Sequence, residues 1–428
     1  MTQPMPYARP ILWDIYQEHL DEAAFLWGQW ERAMDAAHYT LDEVIDGPEE
    51  RLRAHLDGLV LGGQPVAEKL LIPALADDDD GKVTAAAWAL LQAEDADHLD
   101  LVFEALTKAE KKERRGALAR AFELAERSDL GARLGPRLQG SPPAVQATIV
   151  NVLSASLPAA PPGQSPAWPF PIDSFLQSRQ QELLSAALRA LCRTPDPVRA
   201  HFVERALASP YVAIRDVAIE AGLLMGLRAA GTACSKLVSR NASGARLALG
   251  VLASGGEPID VAAIIRKLDV ESMRRDALWA LGFAGTAQAV EAVLAWIADD
   301  QVDKVAGEAF ATITGVRIAG PLAKIGQTDN SVPPEGEDDD APIPVVLPED
   351  SLSVPNSERL FAWWEKAAPR FAPDARYLYG QPVSPDALRA ALRGGPTWRR
   401  RVWSLALAGH GHGHFDVATW GRRQRGRA

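Results

Sequence analysis

Arg274-Arg275-Asp276-Ala277-Leu278-Trp279-Ala280-Leu281-Gly282-Phe283-Ala284-Gly285 is the stretch on which the reading of the fold turns. Ala277 and Ala280 stand three positions apart, where small side chains let two helices approach closely, and Leu278 and Leu281 fill the seam beside them. The same spacing recurs at Ala86/Ala89, Ala187/Ala190, Ala218/Ala221, Ala245/Ala248 and Ala306/Ala309, with looser copies starting at Ala117 and Ala147. Successive starts are separated by about 30 residues, the length of one helical hairpin in a repeat array. One interval is longer because it contains Leu157 to Ile172, a stretch with six prolines.

Punctuation around the pairs supports helical hairpins. Asp77-Asp78-Asp79-Asp80-Gly81, Ser209-Pro210, Asn241-Ala242-Ser243-Gly244 and Asp299-Asp300 precede several of them. Short polar side chains there cap orphan N–H groups, and acids favour the positive helix end. Gly222 and Gly226, Gly250, Gly282 and Gly285, and Gly315 follow the pairs and read as breaks between helices. No alternating β-branched stretch of strand length interrupts this pattern before Pro342–Leu347, which is too rich in proline for a central strand. The expected fold is therefore all-α: an α-solenoid of about ten HEAT/armadillo-like helical pairs, with a small helical C-terminal region.

The ends differ from the middle. Ile11 to Met34 reads as one helix with Leu12, Tyr16, Leu20, Ala23, Trp27, Trp30 and Met34 along one face. Trp13 lies off that stripe and is a candidate interface anchor, tryptophan being enriched at binding hot spots. Beyond Ile325 the repeat fails, and residues 329–350 carry eight acids, five prolines and no Lys or Arg, the composition of a linker. The expected organisation is a solenoid over 1–327, an acidic linker over 328–357, a helical region over 358–409 and a basic tail over 410–428.

Of the 428 residues, 47% are apolar but only 7% aromatic, so the apolar mass is aliphatic, as Ala-paired helices require. Two cysteines, Cys192 and Cys234, exclude a disulfide framework and Cys-rich zinc modules. The opening MTQPMPYARP lacks the basic and apolar regions of a secretion signal, and no run is long enough to span a bilayer; a cytoplasmic location is expected. The net charge of −11 argues against nucleic acid as a partner. Residues 329–428 hold 13 acids and 13 bases, so the whole excess of negative charge belongs to the solenoid. Within the C-terminal part the bases cluster at Arg399-Arg400-Arg401 and at Arg422, Arg423, Arg425 and Arg427, a set suited to folding back on the acidic solenoid or linker, or to an acidic partner.

Catalytic and metal signatures are scarce. Gly81-Lys82 is followed by Val83, not Ser or Thr, so the phosphate-loop pattern fails. Ala76 and Ala87 occupy the positions where a calcium loop needs carboxylates, and the acidic run reads as a capped turn. His410-Gly411-His412-Gly413-His414 is the one metal-like tract, without carboxylate or thiolate, and reads as a solvated segment. His19 with Glu22, and His55 with Asp57, have the residue types of acid–base pairs, but surface pairing and helix-end chemistry account for them equally. The basic knot Lys108, Lys111, Lys112, Arg114 and Arg115 is interleaved with Glu110 and Glu113 and reads as a solvated helix face. No cofactor, no metal and no enzymatic activity are expected.

The middle of the chain resembles HEAT-type repeats, including the short PBS-lyase-like subset, most clearly at Arg274–Gly285. The whole chain is similar to a family of bacterial HEAT-repeat proteins of about this length. The similarity rests on Ile11-Leu12-Trp13-Asp14-Ile15-Tyr16-Gln17-Glu18-His19-Leu20-Asp21-Glu22-Ala23, on Glu50-Arg51-Leu52-Arg53-Ala54-His55-Leu56-Asp57-Gly58-Leu59, and on Trp363-Trp364 with Arg376-Tyr377-Leu378-Tyr379-Gly380. Genes of that family often sit beside type VI secretion components, notably PAAR-type spike-tip proteins and effector adaptors. The resemblance implies a protein-binding adaptor, loading factor or immunity protein around that machinery. The binding residues expected are Trp13, His55, Asp57, Arg422, Arg423 and Arg425. A different class, a HEAT-repeat enzyme of the base-glycosylase or bilin-lyase type, fits less well: the first needs a basic groove, and the second a tetrapyrrole.

Overall fold

The structure, a computed structural model, describes residues 11–93, 95–157, 165–324, 347–412 and 415–425. The chain divides into two compact units, one of residues 1–32 with 43–156 and the other of residues 33–42 with 157–428. The described residues are overwhelmingly helical, and their one sheet is a two-stranded hairpin.

The first unit opens with α1 (Trp13–Ala33). Next comes a helical run whose π-turn, Ile45–Glu49, holds Pro48; the widened turn accommodates a residue that lacks an N–H. The run continues as α2 (Glu50–Leu61). There follow α3 (Asp80–Gln92), α4 (Ala96–Lys108), α5 (Lys112–Leu124), α6 (Leu130–Leu134) and α7 (Pro143–Ala155). Helices α2, α3, α5 and α7 stack in one layer, while α4 and α6 form the second. Asp79 caps α3, its carboxylate accepting from Gly81 N and Lys82 N, so the acidic run is the capped turn that its composition predicts.

The second unit repeats this plan with α8 (Ile172–Leu176), α9 (Gln181–Arg193), α10 (Ala200–Ala206), α11 (Val212–Leu224), α12 (Arg228–Ser239), α13 (Arg246–Gly255), α14 (Pro258–Ile265), α15 (Glu271–Ala284), α16 (Ala287–Leu294) and α17 (Asp303–Thr314). Successive members α9, α11, α13, α15 and α17 pack on one another, and the alternate helices cover their other side. Each unit is thus an all-α helical-repeat solenoid. The regular alanine pairs fall on one layer of each, at the seams between neighbours, and all twelve residues are at most 2% exposed.

Three glycines depart from the sequence reading. Gly222, Gly250 and Gly282 lie inside α11, α13 and α15, not between helices. They are points of close approach: a Cβ on Gly250 would sit 2.9 Å from Val402 and 3.0 Å from Trp279. Gly285 and Gly315, by contrast, adopt φ of 71° and 76° at the ends of α15 and α17, the left-handed cap that glycine tolerates.

The C-terminal part contains α18 (Ser357–Ala367), the hairpin β1 (Tyr377–Leu378) and β2 (Gln381–Pro382), α19 (Pro385–Gly394), α20 (Arg400–Gly409) and α21 (Gly421–Arg425). Helix α20 lies on α11 and α13, and α19 lies on α20. Most of the acidic linker falls outside the described residues. Its last part is packed: Glu349 is buried and ion-paired with Arg275.

Candidate functional site

Helices α1 and α2 run antiparallel, brought together where α2 offers no side chain. A Cβ on Gly58 would stand 3.0 Å from His19 Nε2, and one on Gly62, just beyond α2, would stand 2.8 Å from the Tyr16 ring. That closeness lets the imidazoles of His19 and His55 meet, Nδ1 to Nδ1, at 3.0 Å, with ring centroids 5.1 Å apart. One ring must donate and the other accept, so the bond exists only while at least one is neutral. Burial, then the neighbouring His19, pushes the His55 pKa below its ordinary value, against the opposing pull of Glu22.

Exposed apolar side chains stand at the same ends of α1 and α2. Leu12 is 58% exposed, Ile15 45% and Leu61 84%, and they flank the Tyr16–Gly62 contact. Trp13 is half-buried, with the Lys69 ammonium 3.9 Å from its ring centroid. Glu18 and Glu22 lie close enough to His55 to act on its charge. Leu12 belongs to the stripe expected to be core, yet lies in water; the buried stripe starts farther along, at Leu20, Ala23, Trp27 and Trp30.

Of the residues singled out in the sequence, Trp13, His55 and Asp57 belong to the first unit: His55 meets His19, Trp13 meets Lys69, and Asp57, two residues after His55 on a helix, is exposed and turned away from that contact. The other three belong to the second unit. Arg422, Arg423 and Arg425 are exposed on α21, anchored by the buried Trp420 and Gln424, with Arg425 3.7 Å from Asp42. Of the histidine tract, His412 Nδ1 meets the Arg389 guanidinium at 3.0 Å, while Gly413 and His414 lie outside the described residues. Among the described residues no group of three potential ligands surrounds a metal position.

The basic cluster Arg399-Arg400-Arg401 turns inward. Arg399 is fully buried and makes two hydrogen bonds to the Glu308 carboxylate, and Arg401 pairs with Glu220. Arg376 donates to the carbonyls of Ser254 and Phe283 at 2.7 and 3.0 Å, bridging the C-terminal ends of α13 and α15. Tyr377 N and Tyr379 N then bond Gly285 O and Thr312 O, so Arg376–Gly380 clips the ends of three successive repeat helices. The clip needed its distant partners to be recognised.

No family model matches the chain, and no curated protein matches it. Among solved structures, the chain is similar to YibA of Escherichia coli, at 11% identity over 72% of this chain and 99% of that one, with a TM-score of 0.32. It is also similar to human deoxyhypusine hydroxylase in complex with glycerol, at 15% identity over 70% and 97% of the two chains, with a TM-score of 0.25. At these scores neither likeness adds to the fold read from the helices themselves. No helix of the described residues is long and apolar enough to cross a membrane.

Proposed function

We propose that the chain is a non-catalytic protein-interaction scaffold whose first unit docks a partner on the face formed by α1 and α2. The observation that carries this reading is the exposure of Leu12, Ile15 and Leu61 at the joined ends of α1 and α2, where Tyr16 meets Gly62, with Glu18 and Glu22 near the His19–His55 pair. Covering these side chains removes apolar surface from water at about 25 cal/mol per Å², and the carboxylates of Glu18 and Glu22 nearby favour a partner with basic flanks. The resemblance of the opening segments supports a type VI secretion effector or spike-tip protein as that partner, with this chain as its adaptor or accessory.

The test compares capture by the tagged full chain with capture by an I15E/L61E variant in the bacterium that encodes it. Both side chains are solvent-facing, so the variant keeps its fold, which circular dichroism checks. A secretion component recovered with the wild type and lost with the variant supports the proposal. The same proteins recovered with both would remove the docking surface from consideration.

A further inference from the structure

The second unit holds a cleft of about 390 Å³ that is separate from the α1–α2 face, and its lining is cationic. Lys304, Arg317, His38, Ser351, Glu308 and Tyr379 contribute to its walls and floor. Glu308 adds little negative field, because its carboxylate is held by the buried Arg399 guanidinium and also accepts from Thr312 Oγ1 at 3.0 Å. Lys304, one helical turn before it on α17, gives one hydrogen bond to the Asp350 carbonyl at 2.7 Å and keeps two further donors. Arg317 follows the left-handed Gly315 cap of α17, and its exposed guanidinium makes no hydrogen bond or ion pair among the described residues. Ser351 Oγ and His38 Nδ1 are hydrogen-bonded to each other at 2.5 Å on the same cleft. The Asp350 carboxylate, the nearby counter-charge, already accepts from Leu347 N at 2.6 Å.

Two cations without carboxylate partners among the described residues, set in a concave wall beside a hydroxyl and an imidazole, focus positive potential where a ligand can enter. A guanidinium supplies a planar fork of donors and an ammonium a compact charge, a combination matched to carboxylate or phosphate oxygens. The volume falls within the range of small-molecule pockets. We propose that this cleft binds a small oxyanion ligand, a phosphorylated or multiply carboxylated metabolite, through Arg317 and Lys304, with the Ser351–His38 pair completing the contacts.

Calorimetric titration of the full chain at low ionic strength, with sodium pyrophosphate and separately with citrate, tests the proposal. Saturable one-to-one binding of either probe is expected; pyrophosphate alone identifies a phosphate source, and citrate alone a carboxylate source. R317Q and K304M should each weaken binding about tenfold or more, the scale of one charge-assisted hydrogen bond. R317K should lose less, and K366Q, on the exposed face of α18, nothing. Because Arg317 and Lys304 lie outside the core, a thermal melt that matches wild type without ligand shows the variants are folded; the ligand-induced rise in Tm at a fixed ligand concentration should then be smaller in both than in the wild type. No saturable binding of either probe, or an affinity in R317Q and K304M equal to that of the wild type, would overturn the assignment.

Discussion

The guanidinium of Arg399 occupies the space that a side chain on Gly282 would fill: a Cβ there would lie 2.6 Å from Arg399 Nη2. The absent side chain on α15 lets a charged group enter from the C-terminal region, where it is gripped by Glu308 and by the Trp279 carbonyl at 2.8 Å. Trp279, Phe283 and Trp398 surround its cation with aromatic faces. Arg399 thus ties the C-terminal helices of the second unit to its repeat helices, beside the Arg401–Glu220 pair and the Arg376 contacts.

Removing either member of that buried pair leaves the other uncompensated, which costs about 3–5 kcal/mol. R399M and E308Q should each lower the denaturant midpoint accordingly, while R399M/E308M recovers much of the loss because no lone charge remains. G282A should destabilise by about 1–3 kcal/mol through overpacking, with Arg399 intact. Wild-type stability in R399M would refute the central role given to this pair.

Arg376 makes a second prediction. Burial pushes its pKa below the usual arginine range, yet it is aimed at the carbonyl ends of α13 and α15, where the helix dipoles favour a cation. R376A should cost about 2–3 kcal/mol by leaving those carbonyls without donors. R376K should not restore it, since one ammonium does not reproduce the guanidinium fork. Hydrogen exchange should localise the effect: amides of Tyr377, Tyr379 and Gly380 exchange faster in R376A, and unchanged protection there would exclude a clip.

The repeat was legible because small residues at helix seams recur locally, so Ala277/Ala280 and its copies mark one layer without knowledge of the other. Gly282 was not legible as a contact point, because what approaches it lies more than a hundred residues away. Arg399-Arg400-Arg401 shows the same limit: a run of three arginines looks like surface, yet Arg399 and Arg400 are at most 2% exposed. Arg399's carboxylate stands 91 residues upstream. Trp13, His55 and Asp57 could be singled out from segment resemblance, but the antiparallel packing that unites the first two elements depends on Gly58 and Gly62, whose absent side chains carry no label. The exposure of Leu12 and Leu61 was hidden for the same reason: periodicity assigns a face, and only packing decides whether it is covered.

Asp216 on α11 gives a charge-based prediction of opposite sign. Burial raises its carboxyl pKa above the ordinary 3.8, against the opposing pull of Arg401 and Arg215. A raised folded-state pKa means that the ionised form is disfavoured in the fold, a penalty present at neutral pH and relieved as pH falls through the folded pKa. D216N should therefore raise Tm at pH 7, and its advantage should shrink on acidification. A lower Tm for D216N at pH 7 would show that Asp216 serves Arg401 more than it suffers from burial.

The His19–His55 contact predicts how the first unit responds to acid. The His55 pKa is lowered from 6.5 because burial and the adjacent His19 ring both oppose its charge. With a folded-state pKa below the unfolded one, the unfolded chain takes up the proton first as pH falls below about 6.5, so stability declines toward the folded pKa and levels off beneath it. Above that window the contribution is fully present. H55F should flatten the slope between pH 7 and 5, keeping the ring against α1 while removing the titrating group; H55Q should flatten it too, with a hydrogen bond to His19 still possible. Intrinsic fluorescence cannot assign the change to one unit, so NMR of the His19 and His55 ring protons is the direct readout: the His55 resonance should titrate below 6.5 in the wild type. In H19F, the loss of the neighbouring ring's opposing charge should move that titration upward. A His55 resonance that titrates at or above 6.5 with His19 present would remove the pair as the source of acid sensitivity.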